Sequence, residues 1–219
     1  MAAVITFSGM VGSGKSVCSK YVGGNLAERG LPVYYLRFRF VSLKSFFEKK
    51  TGFGKFVFKE KTIPERSLRF KNFKLRSNLS FLGAMIYYAW RSGLFSLLIK
   101  VRYSNDIVVV DRYIYDYLVQ YRLEERRYWP LFRRFLKLLP RPDLALVLLA
   151  DFETVQRTRP FYAPEYIQLN LANYHRLKEI CPEVVVIEEN SVREKIEAAY
   201  ARVESYLNRR TSVTGGKRE

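Results

Sequence analysis

Gly9-Met10-Val11-Gly12-Ser13-Gly14-Lys15-Ser16 is the stretch on which the reading of this chain turns. It fits the pattern G-x-x-x-x-G-K-[ST], follows an apolar run from Ala3 to Ser8, and precedes an amphipathic one that opens at Lys15. Strand, glycine-rich loop, helix is the order in which that pattern builds a phosphate cradle. Glycines let the backbone curl until successive N–H groups point inward, and the first turn of the helix adds the positive end of its dipole. The residues expected to hold the polyphosphate of ATP are Gly9, Met10, Val11, Gly12, Ser13, Gly14, Lys15, Ser16 and Val17. Lys15 would face the β and γ phosphates, and the Ser16 hydroxyl would ligate Mg²⁺.

Outward from the loop, short β-branched runs alternate with longer amphipathic ones. The runs are Ala3 to Ser8, Pro32 to Arg37, Ile107 to Asp111, Leu144 to Ala150 and Val184 to Ile187. That alternation predicts an α/β fold, a three-layer doubly wound sheet of five parallel strands covered by helices on both faces. A helix is expected from Lys15 to Arg29, stopped at Gly30, and another from Glu165 to Ile180. The last helix should open on the capping box Ser191-Val192-Arg193-Glu194. Residues 1–210 read as one domain, and 211–219 as a disordered tail.

The third strand ends in Asp111-Arg112. In a parallel sheet that end lies beside the loop, so Asp111 is expected to hold Mg²⁺ through water and Arg112 to reach a transferring phosphoryl group.

The 219 residues include 38 Lys and Arg against 21 Asp and Glu, a net charge of +17, together with 16 Tyr and 16 Phe. So many aromatics exclude a disordered polyelectrolyte, and the charge calls for an anionic partner. The excess is uneven. From Arg37 to Arg76 there are 13 basic and 3 acidic residues, a net of +10, and nine of the Phe. This segment reads as a basic helical insertion between strands 2 and 3, within a basic and apolar helical acceptor-site region at 37–105. Cys18 and Cys181 read as reduced core thiols, and the N-terminus has no export signal, so a cytoplasmic location is expected. His175 is the only histidine, which leaves no His-based triad or metal cluster. Phe81 to Ile99 approaches the length of a membrane span, but Arg91 sits inside it, so the window is expected to be a buried helix of a soluble domain.

Asp111-Arg112-Tyr113 resembles the DRY motif of thymidylate kinases. Ala89-Trp90-Arg91 is similar to their A-D-R segment, Arg37 stands where their R-E-P-G-G arginine stands, and Arg141-Pro142-Asp143 looks like the entry to their fourth strand. Over nearly its whole length the chain resembles the nucleoside monophosphate kinases, thymidylate kinases most of all. The resemblance implies a fold of the P-loop kinase type, ATP and Mg²⁺ as donor and metal, and a nucleoside monophosphate as acceptor, with dTMP the leading identity. It implies that Arg37 grips the acceptor phosphate and Arg91 the acceptor base, with Arg39, Arg112, Tyr117 and Tyr121 completing that site. Catalysis would fall to Lys15, Asp111, Arg112 and an arginine of a short lid at 152–164, Arg157 or Arg159.

Two departures keep the acceptor open. Ser8 and Val11 stand where thymidylate kinases carry acidic residues, and Phe38-Arg39-Phe40 replaces the turn after Arg37. Two other functions fit the sequence. The Lys, Arg and Phe of 37–76 suit a nucleic-acid-binding P-loop ATPase or a polynucleotide-end kinase, and the loop alone suits a nucleotide-binding regulatory scaffold. Whether the chain works as a homodimer is also left open.

Overall fold

The computed structural model describes residues 2–37, 78–120 and 123–215. In chain order the elements are β1 (Ala3–Gly9), α1 (Lys15–Glu28), β2 (Val33–Arg37), α2 (Asn78–Arg102), β3 (Ile107–Asp111), α3 (Tyr115–Leu118), α4 (Trp129–Leu138), β4 (Leu144–Leu148), α5 (Phe152–Thr158), α6 (Pro164–Ile180), β5 (Val184–Ile187) and α7 (Val192–Gly215). All five strands pair in parallel, in the order β2-β3-β1-β4-β5. The expected α/β sheet is present, and its strands begin and end within two residues of the sequence reading.

The strands form where they do because they are covered on both faces. β3 is buried at every residue, and β1 at all but Val4. On one face Ile5, Phe7, Val109, Leu146 and Leu148 pack with Cys18, Val22 and Leu26 of α1 and with Ala199 and Val203 of α7. On the other, Ala145 and Val147 meet Phe132, Phe135 and Leu136 of α4 and Ile167, Tyr174 and Leu177 of α6. Ile99 of α2 packs on Val108 and Val110 of that same face.

The helix ends follow their local sequence. Gly30 takes φ 78°, and the Gly30 N–H to Ala27 and Leu31 N–H to Leu26 bonds close α1 as a Schellman turn. At α7, Glu194 N–H donates to Ser191 Oγ at 3.1 Å while Ser191 N–H donates to Glu194 Oε2 at 3.0 Å. That is the expected capping box, and such a cap contributes about 1 kcal/mol.

Two expectations are corrected. α7 continues to Gly215, past the Thr211 at which a tail was expected. Thr and Ser are tolerated in a helix that is already nucleated and anchored upstream. The window 81–99 lies on a helix that is not buried all round: Met85, Ser92 and Ile99 are buried, whereas Ile86, Trp90 and Leu97 are exposed. Of the basic segment 37–76 only Arg37 falls within the described residues; 38–77 lie outside them. No helix among the described residues is long and apolar enough to cross a membrane.

Candidate functional site

The site lies at the carboxyl end of β1, where the chain must turn sharply into α1. Gly9, Gly12 and Gly14 have φ of 145°, 89° and 84°. At Gly9 a Cβ would sit 2.1 Å from the Leu148 carbonyl oxygen of β4, so no larger residue fits there. The Ser13 N–H donates to the Met10 carbonyl at 3.2 Å and folds the loop back on itself.

Inside this turn Lys15 is buried, and its Nζ donates to the Met10 carbonyl at 2.9 Å. Burial pulls its ammonium down to about 8, partly countered by Asp116 and Asp111. Ser16 Oγ donates to Asp111 Oδ2 at 2.9 Å. The second oxygen, Asp111 Oδ1, is buried without a hydrogen-bond partner among the described residues. A hydroxyl beside a carboxylate with an unused buried oxygen is a hard-oxygen donor set, and it fits Mg²⁺. Val17, also expected at the phosphate, is 51% exposed, and its N–H is bonded to the Gly14 carbonyl.

The register places Arg37 of β2 and Phe7 of β1 level with Asp111. Arg37 Nε lies 3.5 Å from Asp111 Oδ2, so the arginine expected at the acceptor phosphate leans on the carboxylate expected at the metal. Its side chain is 40% exposed and still presents donors outward. Arg112 follows at φ 71°, a left-handed conformation unusual outside glycine and costing on the order of 1–2 kcal/mol. Its own N–H holds it there by donating to the Phe7 carbonyl at 2.8 Å.

Asp116 of α3 was missed from sequence. It is buried, and its Oδ1 accepts from Gly9 N–H and from the Tyr174 hydroxyl, each at 2.7 Å. Arg112 Nη1 stands 3.8 Å from Oδ2. Burial raises the Asp116 carboxyl above its ordinary range, while Lys15 and Arg112 pull against that shift. The residue thus joins the first loop glycine, the arginine after β3 and a tyrosine of α6. Nothing in the local sequence announces it, because the partners of Oδ1, Gly9 and Tyr174, are remote in the chain.

The lid residues are divided by the structure. Arg159 caps α5, and a Cβ on Gly12 would lie 3.0 Å from Thr158 Oγ1 and 3.9 Å from Arg159 Cγ. The stem of Arg159 therefore lies beside the loop, while Arg157 is on the last turn of α5; both side chains are exposed. Tyr117 is half-buried and stacks on Tyr88 of α2, ring centroids 5.5 Å apart, forming one wall. Arg91 lies 5.8 Å from the centre of the Tyr87 ring on its own helix. The charges that act most on Lys15 are those of Asp116, Arg112, Asp111 and Arg37. Arg39 and Tyr121 fall outside the described residues.

No protein-family model matches the chain, and no curated protein matches it by sequence. Among solved structures, the crystal structure of thymidylate kinase from Ehrlichia chaffeensis superposes with a TM-score of 0.54 at 21% identity, over 94% of this chain and 98% of that one. At that identity the likeness speaks for architecture alone: the chain has the α/β fold of a P-loop kinase, with its glycine loop at the carboxyl edge of a parallel five-stranded sheet.

Proposed function

We propose that this protein is an ATP-dependent phosphotransferase of the nucleoside monophosphate kinase type, with dTMP the first acceptor to try (dTMP + ATP to dTDP + ADP). One observation carries the reading. Lys15, the Ser16–Asp111 pair, Arg112 and Arg159 come from three separate parts of the chain and meet around one glycine turn.

An acceptor monophosphate is already ionised at neutral pH, so its oxygen attacks the γ-phosphorus while the bond to the β,γ-bridging oxygen breaks, and no base is needed. The work left to the protein is positioning and charge neutralisation. The loop N–H groups and Lys15 orient the donor phosphates, Arg37 and Arg112 meet the acceptor phosphate, and Arg159 closes from the lid side. Ser16 and Asp111 would hold Mg²⁺, which when bound draws charge from the donor phosphates.

The decisive experiment incubates the purified chain with ATP, Mg²⁺ and each common nucleoside monophosphate in turn, following ADP and the nucleoside diphosphate by chromatography. Diphosphate formation from at least one monophosphate is expected. Failure with all of them overturns the reading.

A further inference from the structure

α2 is apolar on two opposite sides, and the sheet explains only one of them. Met85, Ser92 and Ile99 face inward. On the far side Ile86, Trp90, Leu97 and Val101 are 62%, 59%, 58% and 76% exposed. At about 100° per residue these four fall within about 60° of arc, a stripe about 22 Å long. α4 covers the same face of the sheet and contacts α2. It buries Phe132, Phe135 and Leu136 and leaves Leu131 and Leu138 exposed. These two helices carry seven of the twelve exposed large apolar side chains among the described residues, so the outer surface of this layer is where such residues concentrate.

The charge on these two helices has one sign. Neither α2 nor α4 contains an Asp or a Glu. Lys100 and Arg102 end α2, and Arg133, Arg134 and Lys137 line the exposed side of α4. The sequence that leads into α2, from Arg37 to Arg76, carries a further net +10.

We propose that the outer face of α2 and α4 docks on an anionic lipid bilayer surface, lying in the interface without crossing it. Aliphatic side chains with an interfacial tryptophan, on two helices whose only charged residues are cations, answer both parts of such a surface, the acyl boundary and the charged headgroups. Other occupants answer one part. A second copy in a two-fold dimer would set α4 cations and a +17 chain against their own like. A single-stranded nucleic acid would neutralise the cations but find no ring to stack on at Ile86, Leu97 or Val101. The proposal does not depend on the phosphotransfer reading.

The test sediments the full chain with vesicles of phosphatidylcholine alone and of phosphatidylcholine mixed with phosphatidylglycerol. Binding is expected to the mixed vesicles, to weaken as salt is raised, and to be at least about tenfold weaker to phosphatidylcholine alone. Leu97→Glu with Val101→Glu, on exposed positions, should cut binding at least about tenfold while the melting temperature holds. Arg134→Glu with Lys137→Glu, which leaves the apolar stripe intact, should do the same. Brominated lipid should quench the tryptophan emission of the wild type more than that of Trp90→Phe. The proposal is overturned if the chain stays in the supernatant with mixed vesicles, or if either double variant binds them as the wild type does. It also falls if sedimentation equilibrium shows a dimer that the α2 variant dissociates, or if an oligonucleotide binds the wild type and not that variant.

Discussion

Ser16 Oγ donates to Asp111 Oδ2 across 2.9 Å, tying the first turn of α1 to the end of β3. Two oxygen-bearing side chains separated by most of a hundred residues are thus brought side by side. Replacing Asp111 by Asn keeps the volume and removes the charge. Phosphoryl transfer by D111N is expected to fall on the order of 10²–10³-fold. The Mg²⁺ concentration for half-maximal rate should rise. An ADP-release assay across a Mg²⁺ series reads both effects, and an unchanged Mg²⁺ dependence removes Asp111 from the metal site.

Lys15 titrates near 8 in the folded protein against an ordinary 10.5, because burial disfavours its charge. Between those two values the unfolded chain binds more protons than the folded one, so this group makes stability rise with pH over that window. Phosphates placed beside Lys15 restore its proton. ATP binding is therefore expected to take up a proton at pH 9 and to weaken as pH rises from 8 to 10. Calorimetry in two buffers of different ionisation enthalpy measures the uptake, and equal heats in both buffers at pH 9 would contradict it.

Asp116 is a positioning residue, and its two simplest variants separate structure from rate. Asp116→Ala leaves the Gly9 N–H and the Tyr174 hydroxyl without their acceptor, which should destabilise the fold by about 2–4 kcal/mol. Asp116→Asn keeps an acceptor oxygen and loses the charge that faces Arg112. Its melting temperature should stay near the wild type, while the turnover number falls about tenfold and KM for ATP changes little. Equal turnover in D116N and the wild type would leave Asp116 a purely structural link.

The stem of Arg159 lies beside Gly12, and Arg157 stands on the last turn of α5. Trimming Arg159 to Ala is expected to lower the turnover number by on the order of 10³, as for an arginine that meets charge developing on the transferred group. Arg157→Ala should lower it less than about threefold. Steady-state kinetics of the pair decide the assignment, and equal losses would mean that neither closes the site alone.

What could be read from sequence was what the chain holds in one piece. The glycine loop, its flanking strand and helix, the Gly30 stop and the Ser191–Glu194 box are each complete within a few residues, so spacing carries them. Asp111 was legible because a carboxylate ending a β-branched run has few places to be. Asp116 was not, since its partners Gly9 and Tyr174 lie far away on either side in sequence. Arg91 drew attention as a lone charge on an apolar helix. The structure puts it beside Tyr87, and the same apolar composition turned out to serve two faces of α2. Composition cannot say which of two apolar stripes the sheet will take; the crossing of helix on strand decides that.

β1 is the middle strand, and both its neighbours come late: Ala3 pairs with Ile107, and Ile5 with Leu144. The first strand of the sheet in chain order thus has both its edges paired only once the fourth has been made. Until β4 emerges, the apolar edge of β1 and the glycine turn behind it have no wall, and contacts of such sequence separation form slowly. Nascent chains that end before β4 should hold no nucleotide and should need shielding from one another.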